Sequence, residues 1–104
     1  MKNAAELAGV ATAAVAEHLR YEGWNVSEFN ADGSGFTDVC AAKDGVTILV
    51  RIKAARSPQK PNVPTNEEVQ QIISLAIQIQ AAPYVALVQL DPSKAPSIRY
   101  LKVR

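Results

Sequence analysis

The stretch FTDVCAAKDGVTILVRIKAAR, residues 36–56, decides how the chain is read. Two runs of strand-like residues flank Lys43-Asp44-Gly45. An Asp-Gly step between such runs signals a tight hairpin, because its turn positions need positive φ. The spacing predicts strands over 37–42 and 46–53. In the second strand Val46, Ile48, Val50 and Ile52 face one way, and Thr47, Leu49, Arg51 and Lys53 face the other. Asp38, near the start of the first strand, then shares one end of the hairpin with Arg51 and Lys53. One carboxylate and two cations in that position leave three readings open: a metal site, a phosphate-binding site or a salt bridge.

Downstream, residues 54–64 carry Pro58, Pro61 and Pro64 and read as a loop of a length that is more often functional or mobile. Thr65 and Glu68 form a T-x-x-E capping box that opens a helix. Val69, Ile72, Ile73, Ala76 and Ile77 give that helix its apolar face, and Pro83 is expected to end it. Residues 84–90, YVALVQL, form an apolar run expected as a buried central strand. After a turn over 91–96, residues 97–103 alternate and carry charge, as an edge strand does.

Upstream, residues 31–35 form a turn and 24–30 alternate as a strand, with Trp24, Val26 and Glu28 on one side. Residues 3–22 read as a helix capped by Asn3 with Glu6 three positions on. Leu7, Val10, Ala11, Ala14, Val15, His18 and Leu19 recur at helical spacing, and Gly23 stands where a left-handed cap is usual. The element order is α-β-β-β-α-β-β, an α/β architecture. A mixed central sheet with a helix on each face would bury these runs.

The 104 residues make one domain, 1–104, and 48% apolar content supports a core without disulfide or metal staples. A formal net charge of +1 gives no bulk electrostatic pull toward nucleic acid, so only local charge can argue for it. The single cysteine, Cys40, cannot form an internal disulfide and suits a reducing compartment. No secretory signal and no membrane-length apolar run are read, so the expected location is the cytoplasm, away from the membrane.

At this point the residues carry a resemblance. The element order resembles the PD-(D/E)xK nuclease core, the restriction-endonuclease-like fold, and is most similar in size to the archaeal-type Holliday junction resolvases. Asp38 matches the Asp that opens the motif, and GSGFTD, residues 33–38, resembles its glycine-rich approach. Arg51-Ile52-Lys53 lies where the family has Glu-x-Lys, so Arg51 replaces the Glu. The resemblance implies Mg²⁺-dependent phosphodiester hydrolysis of DNA. Asp38 would be a metal ligand, Lys53 would handle charge and protons, and a second carboxylate would complete the oxygen ligands. Some members supply that acid from the second helix, which makes Glu67 and Glu68 the candidates here, with Glu17 a weaker one. The resolvases also carry an acid near the position of Thr12. Arg51 would repel a divalent cation and can take Asp38 as its own partner. The alternative is therefore a non-catalytic descendant, in which Arg51, Lys53, Arg56 and Lys60 bind phosphate or the fold serves protein interaction, including as a homodimer.

The remaining polar residues divide between chemistry and plain structure. His18 is expected as a packed histidine, Cys40 as an inert core thiol and Ser34 as a turn serine. Lys94, Arg99, Lys102 and Arg104 cluster near the C-terminus, and with the proline-loop cations they could line a nucleic-acid backbone or simply be solvated. Gln70, Gln71, Gln78 and Gln80 read as a solvated helix face, with Gln70 and Gln71 near the hairpin end.

Overall fold

In the computed structural model, residues 4–29 and 38–103 are described. Seven elements follow in order: α1 (Ala4–Tyr21), β1 (Asn25–Phe29), β2 (Asp38–Lys43), β3 (Val46–Arg56), α2 (Asn66–Gln78), β4 (Ala82–Leu90) and β5 (Ser97–Lys102). The strands form one sheet in sequence order. β3 and β4 are parallel and joined through α2, while the other neighbouring pairs are antiparallel. The expected α-β-β-β-α-β-β order holds. Asn3, Ser34 and most of the glycine-rich approach lie outside the described residues.

The hairpin turn forms as its sequence requires. Asp44 has φ 51° and Gly45 φ 79°, so both turn residues are left-handed, and Lys43 pairs with Val46 across it. Gly23, at φ 94°, ends α1 and turns the chain into β1. α2 starts with a complete capping box: the Thr65 hydroxyl accepts from the Glu68 N–H at 3.2 Å, and Glu68 Oε1 accepts from the Thr65 N–H at 2.9 Å.

The two faces of β3 separate as alternation demands. Ile48, Val50 and Ile52 join Ala11, Val15 and Leu19 of α1, with Val39, Ala41, Ala86 and Val88, in one core. Leu49 joins Ile72 and Ala76 of α2, with Val85 and Leu87, in a second core on the other face. Each fully buried Val, Leu or Ile contributes roughly 1.5–3 kcal/mol, so these two clusters hold both helices to the sheet.

Several expectations need correction. β3 continues to Arg56, so residues 54–56 are strand rather than loop; pairing to β4, as Arg56 with Leu90, extends it. α2 ends at Gln78, before Gln80 at φ 57°, and Pro83 sits inside β4. The buried face of α1 is rotated from the expected one. Thr12 and Ala16 are buried while Val10 and His18 are exposed, because small residues let the helix lie close to the sheet. The Thr12 hydroxyl donates to the Ala8 carbonyl at 2.7 Å, which satisfies it in that position. On α2, Ile77 is 71% exposed and outside the second core.

Candidate functional site

Antiparallel register sets Asp38 directly opposite Arg51. Opposed residues have Cβ atoms about 4.5–5.5 Å apart on the same sheet face, so the long Arg51 side chain folds back onto the short carboxylate. Arg51 Nε donates to Asp38 Oδ1 at 2.9 Å and Nη2 donates to Oδ2 at 3.0 Å. This is a two-point fork in which guanidinium and carboxylate geometry match. Nη1 also donates to Gln71 Oε1 of α2 at 3.3 Å. Asp38 is 0% exposed and Arg51 1%. Such burial is tolerated because the pair satisfies its own charges.

Two residues along β3, Lys53 makes a separate pair. Its Nζ donates to Glu68 Oε1 at 2.8 Å and to Oε2 at 3.0 Å. Glu68 thus completes the helix cap and receives the strand cation with the same carboxylate. Burial pushes the Glu68 carboxyl up. The hydrogen bonds from Lys53 and Thr65 and the Lys53 charge outweigh that burial and hold it below the usual range. The expected cluster of one acid and two cations is therefore divided: Arg51 engages Asp38, and Lys53 engages Glu68.

Of the other expected site residues, Arg56 and Lys60 lie apart from this centre, and Glu67 shares only an open groove with Arg51. Strand alternation turns Arg56 to the face opposite Arg51 and Lys53, the face on which its β4 partner Leu90 packs with the α1 core. Lys60 is exposed in the connection before α2. Glu67 is exposed and, with Arg51, Gln70, Gln71, Ser74, Leu75 and Gln78, lines an open groove of about 540 Å³. Burial raises the half-buried Cys40 thiol, only partly offset by a hydrogen bond from Ser27, which agrees with an inert role.

One contact has no local sequence signal. His18 Nδ1 lies 2.9 Å from the Tyr100 hydroxyl, 82 positions away, and the two rings stack at 5.6 Å. Burial, then the charge of Glu22, pushes Tyr100 up to about 12. The packing of α1 across the sheet to β5 creates the pair. His18 is thus a surface histidine lying against an aromatic ring rather than a packed core residue.

The donor set does not fit a divalent cation in this arrangement. Mg²⁺ requires hard oxygen ligands in near-octahedral geometry. Both Asp38 oxygens face the Arg51 guanidinium, and Glu68 faces Lys53. Among the described residues no group of three acidic, His or Cys side chains could hold a metal. A cation placed at Asp38 would also meet the fixed charge of Arg51.

Comparison with known proteins agrees with this architecture. The family model described as Domain of unknown function (DUF8840) matches residues 5–103. The chain belongs to that family. Among curated proteins none matches the sequence. The solved structure of a Holliday junction resolvase from the archaeal hyperthermophile Archaeoglobus fulgidus is similar, with a TM-score of 0.66 and 20% identity. The likeness covers 91% of this chain and 76% of that one. The DUF8840 domain therefore has a restriction-endonuclease-like fold.

Proposed function

We propose that this protein is a binding domain rather than a phosphodiesterase. It keeps the nuclease-like fold and fills the cation-holding position with internal ion pairs. The observation that carries this reading is the Asp38–Arg51 fork, closed and buried where the resemblance would place a metal ligand. DNA is the ligand class supported by likeness to a resolvase fold. Exposed cations such as Lys60, Lys94 and Arg99 offer it contacts, and the cytoplasm is the matching location.

The test is paired cleavage and binding on four-way-junction and linear duplex DNA with Mg²⁺ or Mn²⁺. The expected result is salt-sensitive binding without strand scission. Metal-dependent cleavage that Asp38→Asn abolishes would overturn it.

A second reading, a protein-interaction module on the same fold, has its own support. Charges at the hairpin end cancel within the molecule instead of meeting phosphate. An apolar groove lined by Ile73, Ala76, Ile77, Ala81 and Pro83 also lies along α2. Failure of the junction and duplex to bind at low salt, with the fold intact, selects this second reading.

A further inference from the structure

The sheet ends on an open strand at β5. Among the described residues no strand pairs with its outer side. The Val103 N–H donates to the Pro83 carbonyl at 3.0 Å, one step beyond the Tyr84–Lys102 pair. That bond sets the phase of the antiparallel ladder, in which successive residues turn their N–H and C=O groups to opposite sides. Arg99 and Leu101 therefore turn theirs toward β4, and Ile98, Tyr100 and Lys102 turn theirs outward. An unpaired row of this kind is a template for another strand.

The side chains of those same outward residues lie on the α1 face. Ile98 and Tyr100 pack against the α1 core, and Lys102 is exposed. Ala14, Glu17, His18 and Tyr21 of α1, with Pro96 and Ile98, line an open groove of about 350 Å³ beside the edge. Tyr21 is 87% exposed there, a large aromatic surface left uncovered. His18 stacks on Tyr100 and bonds its hydroxyl, which holds the ring at the middle of the edge in place.

We propose that a second copy of this chain occupies the edge, its β5 running antiparallel to the first about a two-fold axis at Tyr100. Tyr100 then faces Tyr100, and Ile98 of each copy faces Lys102 of the other. This register pairs every outward group and adds about six main-chain hydrogen bonds. Charge favours it. Lys102 falls opposite Ile98, whose groove holds Glu17, so each copy's cation meets the other's carboxylate. Arg99 falls opposite Leu101. Centring the axis on Arg99 or Lys102 would instead set like charges directly against each other. Centring it on Ile98 or Leu101 carries an outward residue past the end of the partner strand. The result is a closed, isologous dimer. It goes beyond the binding-domain reading and holds with either DNA or protein as ligand.

The test is sedimentation velocity of the full chain from low micromolar to millimolar concentration. The expected result is a reversible monomer–dimer equilibrium. Lys102→Glu should raise its Kd about tenfold or more, because symmetry sets both new acids against Glu17. Adding Glu17→Lys should bring the Kd back to within about threefold of the parent. Lys102→Pro removes an outward N–H that β4 does not use and should also weaken association about tenfold or more, with circular dichroism checking its fold. Ile77→Asp, in the apolar groove along α2, should leave the Kd unchanged. In hydrogen exchange the Ile98, Tyr100 and Lys102 amides should gain about tenfold or more protection on dimerisation, and those of Arg99 and Leu101 much less. A chain still monomeric at millimolar concentration, a dimer broken by Ile77→Asp, or a charge swap that fails to restore association would each overturn the proposal. So would a monomeric chain whose edge amides are protected only by a strand of another protein. Metal-dependent DNA cleavage would instead remove the binding-domain reading and leave the dimer standing, so the two failures are distinguishable.

Discussion

Two ion pairs stand on neighbouring same-face positions of β3 and behave as different devices. Asp38–Arg51 is sealed, with side chains 0% and 2% exposed, while Lys53–Glu68 keeps 17% and 16% exposure. The first replaces solvent with a fork of matched geometry, so removing either half strands a charge. The second is wetted and shares its carboxylate with a helix cap. The difference teaches that two cations only two positions apart in sequence can have unrelated jobs: one closes the sheet, the other holds the start of a helix.

The strongest way to break this comparison is Asp38→Asn. It keeps the shape but leaves Arg51 charged and buried, and should cost about 3–5 kcal/mol in urea unfolding. Combining Asp38→Leu with Arg51→Met should return most of that loss, because an apolar pair of similar volume needs no desolvation compensation. If the single change costs no more than a surface substitution, the sealed description is wrong.

Glu68→Ala comes next. It removes half of a capping box together with the Lys53 pair, for about 1–2 kcal/mol. Lys53→Met leaves the cap in place and should cost about 1 kcal/mol or less. A cost for Lys53→Met equal to that for Glu68→Ala would show that the ion pair, not the cap, dominates.

The pH dependence sharpens the contrast further. Glu68 has a depressed folded pKa, so the unfolded chain holds its proton more tightly over that range. Its stabilisation is complete above the unfolded carboxylate pKa and is lost as pH falls through the folded value. Thermal melts in acid should therefore fall less steeply for Glu68→Gln than for the parent.

The smallest effect is expected at the surface contact between α1 and β5. Tyr100→Phe should change stability by a few tenths of a kcal/mol, as an exposed hydrogen bond allows. In the parent, the Tyr100 phenol should ionise only at about pH 12 in an ultraviolet absorbance titration. Ionisation of Tyr100 near the ordinary tyrosine range would remove the burial argument for that contact.

Local chemistry made much of this legible from the sequence. Asp44-Gly45 fixed the hairpin, alternation through Val46–Lys53 fixed its two faces, and Thr65 with Glu68 fixed the start of α2. The shared end of Asp38 and Arg51 followed from that register. What escaped was set by tertiary packing. The rotation of α1 depends on how closely Ala11, Ala16 and Thr12 approach the sheet, and helical periodicity cannot choose among small residues. The extension of β3 through Arg56 depends on a parallel partner far along the chain. The division of cations between Asp38 and Glu68 required knowing where the cap of α2 lands, which the proline-rich connection leaves undetermined in sequence.

The Asp38–Arg51 fork has a further consequence for how the strands find each other. Strand pairing alone tolerates sliding by one position, since the backbone ladder is nearly uniform. A slip of that kind would turn the carboxylate toward the α1 core, among Val39, Val50 and Ile52, with no guanidinium to meet it. The misaligned state would carry an uncompensated charge in hydrocarbon, a penalty of several kcal/mol. The fork therefore acts as a keyed joint between β2 and β3: whatever it adds to net stability, it makes the neighbouring alignments inadmissible.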